Sequence, residues 1–419
     1  MANDWRPSNW GDEVTLEYGK AIRGYSQTHG KYRVFGSNGP IGWTSDALTQ
    51  GPGVVLGRKG AYRGVEFCRE PFWVIDTAYY VAPKTDLDMR WLYYAVKHYK
   101  LGEVDDGSPI PSTTRAAVYM LELDVPPKHE QLAIAHILGT LDDRIELNRH
   151  ANETVEAMAR ALFKAWFVDF EPVRAKVEGR WQRGQSLPGL PAHLYDVFPD
   201  RLVESELGEI PEGWRHSTIG EEVTVCGGST PSTKEPEFWE GGHHCWATPK
   251  DLSALMFPVL LDTDRKITDA GLAKISSGLL PVGTVLLSSR APIGYLAIAE
   301  VPTAINQGFI AMKCDGALPN AFVLPWCRES MDAIVGNANG STFQEISKSN
   351  FRPLPVVVPS DPVLTSFTKS ADSLYRQLVE NERQSQSLAQ LRDTLLPKLI
   401  SGELRISDAE RFLGEVEKA

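Results

Sequence analysis

The stretch that decides the fold is residues 128–168, which read KHEQLAIAHILGTLDDRIELNRHANETVEAMARALFKAWFV. Residues 361–401 read DPVLTSFTKSADSLYRQLVENERQSQSLAQLRDTLLPKLIS and follow the same pattern 233 positions later. In both stretches apolar residues recur every three or four positions over about 35 residues, which is typical of a coiled-coil seam. The pattern predicts two long helices that pair through one narrow apolar stripe. A simpler interpretation, in which each helix packs only on its own domain, stays open.

Asparagines interrupt the predicted seam at equivalent positions, Asn148 and Asn381. A buried Asn in a seam commonly fixes the register of a coiled coil. Two equivalent helices that pair antiparallel about a pseudo-two-fold axis must meet at their midpoints. The first helix is expected to run from Lys128 to Val168, so its midpoint is Asn148. We therefore expect Asn148 and Asn381 to meet at the axis and to bond through their side-chain amides.

The internal repeat extends to the segments before the two helices. Residues 11–16 (GDEVTL) recur as residues 220–225 (GEEVTV), an offset of 209. The offset is 230 for the strand-like run after Gly53, and 233 from Gly107 onward. The growth of the offset places about 21 extra residues in the second copy, within residues 229–282. Residues 1–126 and 213–358 are therefore expected to be two copies of one domain with the same strand order.

These observations predict an α/β (α+β) protein in which two duplicated globular domains are joined by two long antiparallel coiled-coil helices. Residues 171–212 are dense in Pro, Gly and charge, which indicates a mostly irregular connector. The predicted segments are a first globular domain at 1–126, a first helix at 127–170, the connector at 171–212, a second globular domain at 213–358, a second helix at 359–401 and a C-terminal tail at 402–419.

Composition restricts the class of protein without revealing its function. No apolar run approaches the roughly 20 residues that a membrane helix needs, and the N-terminus has no apolar signal-peptide core. Five scattered cysteines argue against a disulfide framework, so a reducing, cytoplasmic location without a membrane partner is expected. The net charge is −11, which does not by itself suggest a nucleic-acid binder. Any contact with DNA must come from locally clustered cations or from charge that a partner supplies.

Three segments resemble the specificity subunit of type I restriction-modification systems. They are residues 161–170 (ALFKAWFVDF), residues 204–214 (ESELGEIPEGW) and residues 391–404 (LRDTLLPKLISGEL). In this order, on a duplicated frame, they make the resemblance cover essentially the whole chain.

The resemblance implies that the two globular domains are target recognition domains, each reading one half of a split site in double-stranded DNA. It implies that the helix pair sets the gap between the half-sites and docks two methyltransferase (modification) subunits, with restriction/translocation subunits joining the complex. It also implies that this chain binds no cofactor, because S-adenosylmethionine, and ATP with Mg²⁺, would bind to the partner subunits.

Three loops in each copy carry residue types that suit DNA contact, because base edges need paired donors and acceptors and phosphates need cations and hydroxyls. In the first copy they are residues 57–63, 76–77 and 107–115, and in the second copy residues 288–292, 306–307 and 340–348. Ordinary charged hairpin tips and turn-capping polar groups are the competing interpretation. The candidate DNA-binding residues are Arg58, Lys59, Tyr62, Arg63, Ser108, Thr114, Arg115, Ser289, Arg290, Asn306, Gln307, Ser341, Gln344 and Lys348.

Catalytic motifs are missing from the sequence: we find no phosphate-binding loop, methyltransferase motif or nucleophile elbow. His243, His244 and Cys245 are consecutive, but adjacent histidines do not easily share a tetrahedral site, so no metal site is expected. The leading hypothesis is a non-catalytic subunit that reads DNA for a larger methyltransferase/endonuclease complex. The alternatives are a stand-alone enzyme with an unrecognised site, and a structural protein-interaction scaffold without its own DNA specificity.

Overall fold

The computed structural model describes residues 5–105, 107, 111–206, 208–340, 344–404 and 406. The chain forms two units, one made of residues up to 147 together with residues from 385, and the other of residues 148–384. We call residues 5–126 of the first unit the first arm, and residues 213–358 of the second unit the second arm. Within the described part of the chain, no helix is both long and apolar enough to cross a membrane.

The first arm is built mainly from nine strands. They are β1 (Arg6–Asn9), β2 (Val14–Tyr18), β3 (Tyr32–Gly36), β4 (Gly39–Thr44), β5 (Gly53–Gly57), β6 (Val65–Cys68), β7 (Phe72–Val74), β8 (Ala78–Pro83) and β9 (Glu122–Val125). They form a four-stranded sheet in the order β2-β8-β5-β6, a three-stranded sheet in the order β4-β3-β7 and the antiparallel pair β1-β9. The central strand β5 is buried along its whole length, as its uninterrupted apolar run predicts.

The first four helices of the chain contribute side chains to the core beside the four-stranded sheet of the first unit. They are α1 (Trp10–Glu13), α2 (Met89–His98), α3 (Arg115–Tyr119) and the long α4 (Lys128–Phe163), which continues into the second unit. A 3-10 turn also occupies Leu101–Glu103. Trp10, Val54 and Trp91 are buried in one cluster with Leu138 of α4.

The second unit has more elements. They are α5 (Glu171–Val177), β10 (Leu202–Ser205), β11 (Gly208–Pro211), β12 (Arg215–Thr218), α6 (Ile219–Glu222), β13 (Thr224–Cys226), β14 (His244–Ala247), α7 (Pro249–Ser253), β15 (Val259–Leu260), β16 (Arg265–Ile267), α8 (Asp269–Leu272), β17 (Val285–Ser289), β18 (Ile293–Ala299), β19 (Thr303–Ile305), β20 (Phe309–Lys313), α9 (Asn320–Glu329), α10 (Met331–Gly336), α11 (Lys348–Phe351) and β21 (Pro355–Val358). The last helix, α12 (Asp361–Ile400), returns to the first unit. Short 3-10 turns occupy Ala192–Val197 and Pro236–Phe238.

The two arms repeat one strand order, as the shared offsets predict. The order β2-β8-β5-β6 of the first arm recurs as β13-β20-β17-β18, and β4-β3-β7 recurs as β16-β14-β19. The pair β1-β9 recurs as β12-β21. The second arm adds β15 at the edge beside β18, inside the segment where the extra residues were expected. The insertion therefore enlarges a sheet edge and leaves the order of the shared strands unchanged.

An ion pair between an exposed arginine and a buried glutamate at the start of each arm shows how closely the two copies agree. Arg6 lies 2.8 Å from Glu13, and Arg215 lies 2.6 Å from Glu222, each 209 positions later. A serine hydroxyl, of Ser8 or of Ser217, also donates to the same carboxylate. Glu13 and Glu222 are both buried, and a buried carboxylate needs such donors to offset its desolvation. The pair therefore fixes the first strand and the first helix of each copy in the same way.

The two long helices run antiparallel within the second unit. Asn148 lies beside Gln384, Asn152 beside Leu378, and the rings of Phe163 and Phe367 are 6.0 Å apart, so the partner number falls as the first number rises. In the first unit, Arg392 of α12 donates to Asp142 of α4 at 2.7 Å, which fits the same pairing. The expectation of an antiparallel helix pair is confirmed.

The predicted meeting of the two seam asparagines is confirmed, but the predicted amide-to-amide bond between them is wrong. Asn148 Nδ2 lies 3.4 Å from the backbone carbonyl oxygen of Asn381 and donates to Gln384 Oε1 at 2.9 Å. The side chain of Asn381 instead donates to Asn152 Oδ1 at 2.8 Å. The amide partner thus lies one helical turn further along α4, because side chains interlock between the turns of the facing helix.

The connector is more ordered than its composition predicts. It contains α5, a 3-10 turn and the hairpin β10-β11, rather than being mostly irregular. Trp181, Leu190 and Phe198 belong to the main core of the second unit, together with Trp166 of the helix end. Residues Lys164–Val168, which were expected to continue α4, form a π-helical turn. The aromatic residues of a segment rich in Pro and Gly were the signal that it packs.

Candidate nucleic-acid interface

The three loops selected in the first arm lie together at one end of the four-stranded sheet. The backbone N–H of Arg58 donates to the carbonyl of Thr77 at 3.0 Å, and the N–H of Thr113 donates to the carbonyl of Arg58 at 2.9 Å. The N–H of Gly60 also donates to the carbonyl of Pro111 at 3.0 Å. Segments far apart in sequence therefore form one continuous surface, with Arg58 at their junction.

An exposed tyrosine between two arginines organises this surface. The Tyr18 ring centroid lies 5.0 Å from the guanidinium carbon of Arg58 and 4.1 Å from that of Arg115. Arg58 Nη1 donates to the carbonyl of Asp76 at 2.9 Å, and Arg115 Nε donates to that of Leu16 at 2.6 Å. Stacking on an aromatic face orients a guanidinium, and Arg115 Nη2 also lies 3.6 Å from Glu17 Oε2.

Tyr79 closes the buried side of the same cluster. Its ring lies 5.1 Å from the Tyr18 ring, and its hydroxyl donates to the carbonyl of Thr113 at 3.2 Å. Burial, reinforced by the neighbouring Tyr18 hydroxyl, raises the pKa of Tyr79 to about 12. Tyr79 therefore stays neutral at physiological pH, and its hydroxyl helps to hold the loop at Thr113 in place.

The remaining residues selected in the first arm differ in what they can contact. Lys59 is exposed, and Tyr62 has 71% of its surface exposed. Arg63 is occupied, because its guanidinium donates to the carbonyls of Gly102 at 2.6 Å and Gly60 at 2.9 Å. Arg63 thus holds the loop in place, whereas Lys59 and Tyr62 are available to a ligand.

Thr114 caps a helix in this arm rather than standing free. Its hydroxyl accepts the N–H of Ala117 at 3.3 Å at the start of α3, as small hydroxyl residues commonly do at helix N-termini. Ser347 caps α11 of the second arm in the same manner, 233 positions later. Two selected residues, Ser108 and Ser341, lie outside the described residues.

The three loops selected in the second arm also come together. The N–H of Ser289 donates to the carbonyl of Gly308 at 2.8 Å, and the N–H of Ile346 donates to the carbonyl of Ser289 at 3.0 Å. Arg290 pairs with Glu345 through an isolated β-bridge and an ion pair at 3.5 Å. The same end of the equivalent sheet therefore gathers the same three loops in both arms.

Some of the selected residues in the second arm hold the loops together, and others lie at the surface. Ser289 is only 3% exposed, so the structure places it beneath the surface, which is a correction to its selection as a contact. Asn306 Oδ1 accepts the N–H of Gly308 at 2.8 Å, which closes a turn, and Gln307 Oε1 accepts the hydroxyl of Thr230 at 2.6 Å. Gln344 and Lys348 are exposed, beside the half-buried Arg290.

Sequence reasoning missed the partners that hold the cations. Tyr18 was not selected, although residues 18–45 contain four cations and no Asp or Glu. That local basic run was the available signal. Arg33 lies over Trp43 in this run, and Arg265 lies over Trp239 in the second arm.

The side chains of His243 and His244 both approach one carboxylate. His244 Nε2 lies 2.7 Å and His243 Nε2 3.6 Å from Asp269 Oδ1. The hydrogen bond from His244 lowers the pKa of Asp269. Asp269 is largely exposed, so the group forms a surface ion pair when the histidines are protonated.

Comparisons with known proteins agree with the duplicated geometry. A family model described as the type I restriction modification DNA specificity domain matches residues 4–157 and 211–380. The chain is similar to the type I restriction enzyme HindI specificity subunit of Haemophilus influenzae, with 27% identity over 74% of each chain. It is 36% identical to the MjaIX specificity subunit of Methanocaldococcus jannaschii over 44% of this chain and 43% of that one. Its fold is similar to the S subunit of a type I restriction-modification system from M. genitalium, with a TM-score of 0.56 and 18% identity over 95% of this chain and 97% of that chain.

Proposed function

Because the chain belongs to the family of type I restriction-modification DNA specificity domains and carries two copies of that domain, we propose that each arm reads one half of a bipartite DNA target for a larger complex. The specificity subunit is the DNA-reading component, and it carries no reaction of its own. In this proposal the complex methylates or cleaves DNA through other chains.

One observation carries the assignment of the reading surface. Each arm gathers three loops at the same end of an equivalent sheet, although the loops come from separate parts of the sequence. In the first arm the gathered surface presents Arg58, Arg115, Lys59 and Tyr62. In the second it presents Arg290, Gln344 and Lys348. Cations for phosphates and planar donors for base edges are the groups that DNA recognition requires.

The partners follow from the same proposal. Two methyltransferase subunits dock on the helix pair and the adjoining arms, one for each copy of the repeat, and restriction/translocation subunits complete the complex. These partners bind S-adenosylmethionine, ATP and Mg²⁺. They also supply positive charge around the DNA, since this chain has a net charge of −11. Such a complex works in the cytoplasm, where the DNA is.

The proposal is tested by mapping methylated bases in DNA from cells that express the chain with modification subunits. The expected result is one motif made of two half-sites with a fixed gap. Removing one heptad from both α4 and α12 should shorten the gap while both half-sites stay the same, because the helices set spacing and the arms set sequence. The exposed substitution Gln386→Ala on α12 is the matched control and should leave the motif unchanged. A continuous motif, or methylation that does not depend on this chain, would contradict the proposal and favour a scaffold without DNA specificity.

A further inference from the structure

Each arm carries an arginine directly opposite a tryptophan in its three-stranded sheet. In the first arm, Arg33 of β3 is the register partner of Trp43 of β4, and its guanidinium carbon lies 4.5 Å from the ring centroid. In the second arm, Trp246 of β14 is the register partner of Arg265 of β16, at 5.3 Å. Arg265 also lies 3.6 Å from the Trp239 ring. Directly opposite residues share one face of a sheet, so the arginine and the tryptophan of each pair lie on the same face. Trp246 itself is buried, whereas Arg265 is exposed.

The two pairs occupy the same strand pair of the repeat with their residues exchanged. Strands β3 and β4 correspond to β14 and β16 in the matched sheet order. The arginine stands on β3 in the first arm but on the β4 equivalent, β16, in the second. A fixed sequence offset therefore cannot align the pairs, and the sheet register makes Trp246 the counterpart of Val34, the neighbour of Arg33.

Both guanidinium groups are held by rings and lack a carboxylate. Among the residues that the structure describes, neither Arg33 nor Arg265 has a side-chain hydrogen bond or an ion pair. Cations near Arg265 are occupied, since Lys266 pairs with Asp262 and Lys250 lies 3.6 Å from Asp264. An arginine stacked on an aromatic face has a fixed plane, and its free N–H edge can form two parallel hydrogen bonds.

The strands that carry these pairs lie at the edge of a small sheet. In each arm the ribbon β3-β4 or β14-β16 is the outer antiparallel pair of a three-stranded sheet, and β-ribbons and β-sheets can read bases from the major groove. The β3-β4 ribbon also lies in the run of residues 18–45, which has four cations and no acid. A bidentate contact from arginine to O6 and N7 of guanine is the commonest specific contact in that groove.

We propose that Arg33 and Arg265 each read a guanine in the major groove, one in each half-site, with the opposed tryptophan fixing the plane of the guanidinium. The loop surface at the end of the larger sheet then supplies backbone contacts, and the smaller sheet supplies base readout. This inference rests on the proposed function, because it assigns a specificity-determining residue to each arm.

The test replaces each arginine by lysine in the full complex. The methylated motif is mapped for each variant, and DNA binding is measured with a pool of random-sequence duplexes as the probe. Lysine keeps the charge but loses the planar fork, so R33K should relax one guanine position in one half-site, and R265K one position in the other. Discrimination at that position should fall about tenfold or more, while the salt dependence of binding stays the same. R23K, in the same arm without a stacking ring, is the matched control and should leave the motif intact.

Variants of the tryptophan separate readout from folding. W43F keeps an aromatic face and should retain the motif. W43L should relax the same motif position as R33K does. The melting temperature of W43L should be no lower than that of W43F. An unchanged motif in both R33K and R265K would overturn the inference while the wild-type bipartite motif still supports the proposed function. Loss of specificity in W43L that tracks a loss of folded protein would also overturn it. Absence of any bipartite motif in the wild-type complex would instead reject the proposed function.

Discussion

The side-chain amide of Asn381 donates a 2.8 Å hydrogen bond to Asn152 Oδ1 inside the seam of the two long helices. Both residues are buried, and Asn152 Nδ2 donates in turn to the carbonyl of Leu378 at 3.3 Å and to Glu382 at 2.8 Å. A buried amide that loses its partner bears the full cost of desolvation. The network therefore favours this register over one shifted by a turn.

Replacing Asn381 by alanine should lower the free energy of unfolding by about 1–3 kcal/mol, because Asn152 Oδ1 is left buried without this donor. N152A should have a similar effect, and the double variant should lose less than the two single losses added together, because both remove the same bond. Urea titrations of the four proteins give the coupling energy. The exposed Gln386→Ala is the control, and additive losses would show that the amides do not interact.

The stability of the first arm should depend on pH through Glu13. Burial by itself raises the pKa of this carboxyl, but hydrogen bonds from Arg6, Ser8 and Thr85 outweigh it and lower the pKa to about 2. Since the folded pKa lies below the unfolded one, the stabilisation is present at neutral pH and is lost as the pH falls from about 4.5 towards 2. E13Q should lower the free energy of unfolding by about 1–3 kcal/mol at neutral pH, because the charge-assisted hydrogen bonds are lost and Arg6 on the other side of the pair is partly screened by solvent.

Urea titrations of E13Q and wild type at about pH 7 and about pH 4 check this pH dependence. The difference between the two proteins should shrink at the lower pH, because the Glu13 carboxyl of the unfolded wild type, with an ordinary pKa of 4.5, takes up a proton there, whereas the folded carboxylate, with a pKa of about 2, does not. Glu103→Gln, in a largely exposed ion pair, should have little effect at either pH. A difference that grows on acidification would contradict the assignment.

Lys59 provides a test of the loop surface. K59A should weaken binding of the complex to all DNA sequences and lower the slope of log affinity against log salt by about one, as expected for one lost phosphate contact. Binding titrations at several salt concentrations measure the slope. K398A removes an exposed cation from α12 and should leave the slope unchanged. Equal slopes for K59A and wild type would show that Lys59 does not contact a DNA phosphate.

The connector should behave as part of the folded second unit. Trp181 is buried against Tyr195 and Phe198, and its indole N–H donates to the carbonyl of Gln185 at 2.8 Å. W181A should cost about 3–5 kcal/mol, as truncation of a buried tryptophan commonly does. The exposed Gln182→Ala is the control in the same denaturant titration. If W181A and the control had the same free energy of unfolding, the connector would not be part of the folded core.

The helices, the repeated strand order and the place of the insertion were predictable because each leaves a periodic or fixed-offset pattern. The first helix was expected at 128–168 and is helical over that range, although its last turn is π-helical. It was only partly predictable from the sequence which residues come together in the candidate DNA-binding surface. The loops were found from residue type, but Tyr18 stacks on Arg115 across 97 positions. Such contacts depend on strand order, which composition does not encode.

Two further features could not be read from sequence for similar reasons. The exchanged Arg33 and Arg265 stand on opposite strands of matching ribbons, so comparison at a fixed offset separates them. Ser289 follows a strand-like run and has a suitable hydroxyl, yet it is buried because the strand β17 extends through it. In both cases the decisive information is which face of the sheet a residue occupies.

The packed connector also changes how the protein responds to dilution. Two separate half-chains, each with one arm and one helix, would assemble by mass action, and the fraction paired would fall as their concentration fell. A covalent link of residues 171–212 makes the pairing of α4 with α12 an intramolecular event, for which effective concentrations are typically in the millimolar range. Both arms are then present in a one-to-one ratio at every expression level, so two unlike readers stay matched without any control over their relative synthesis.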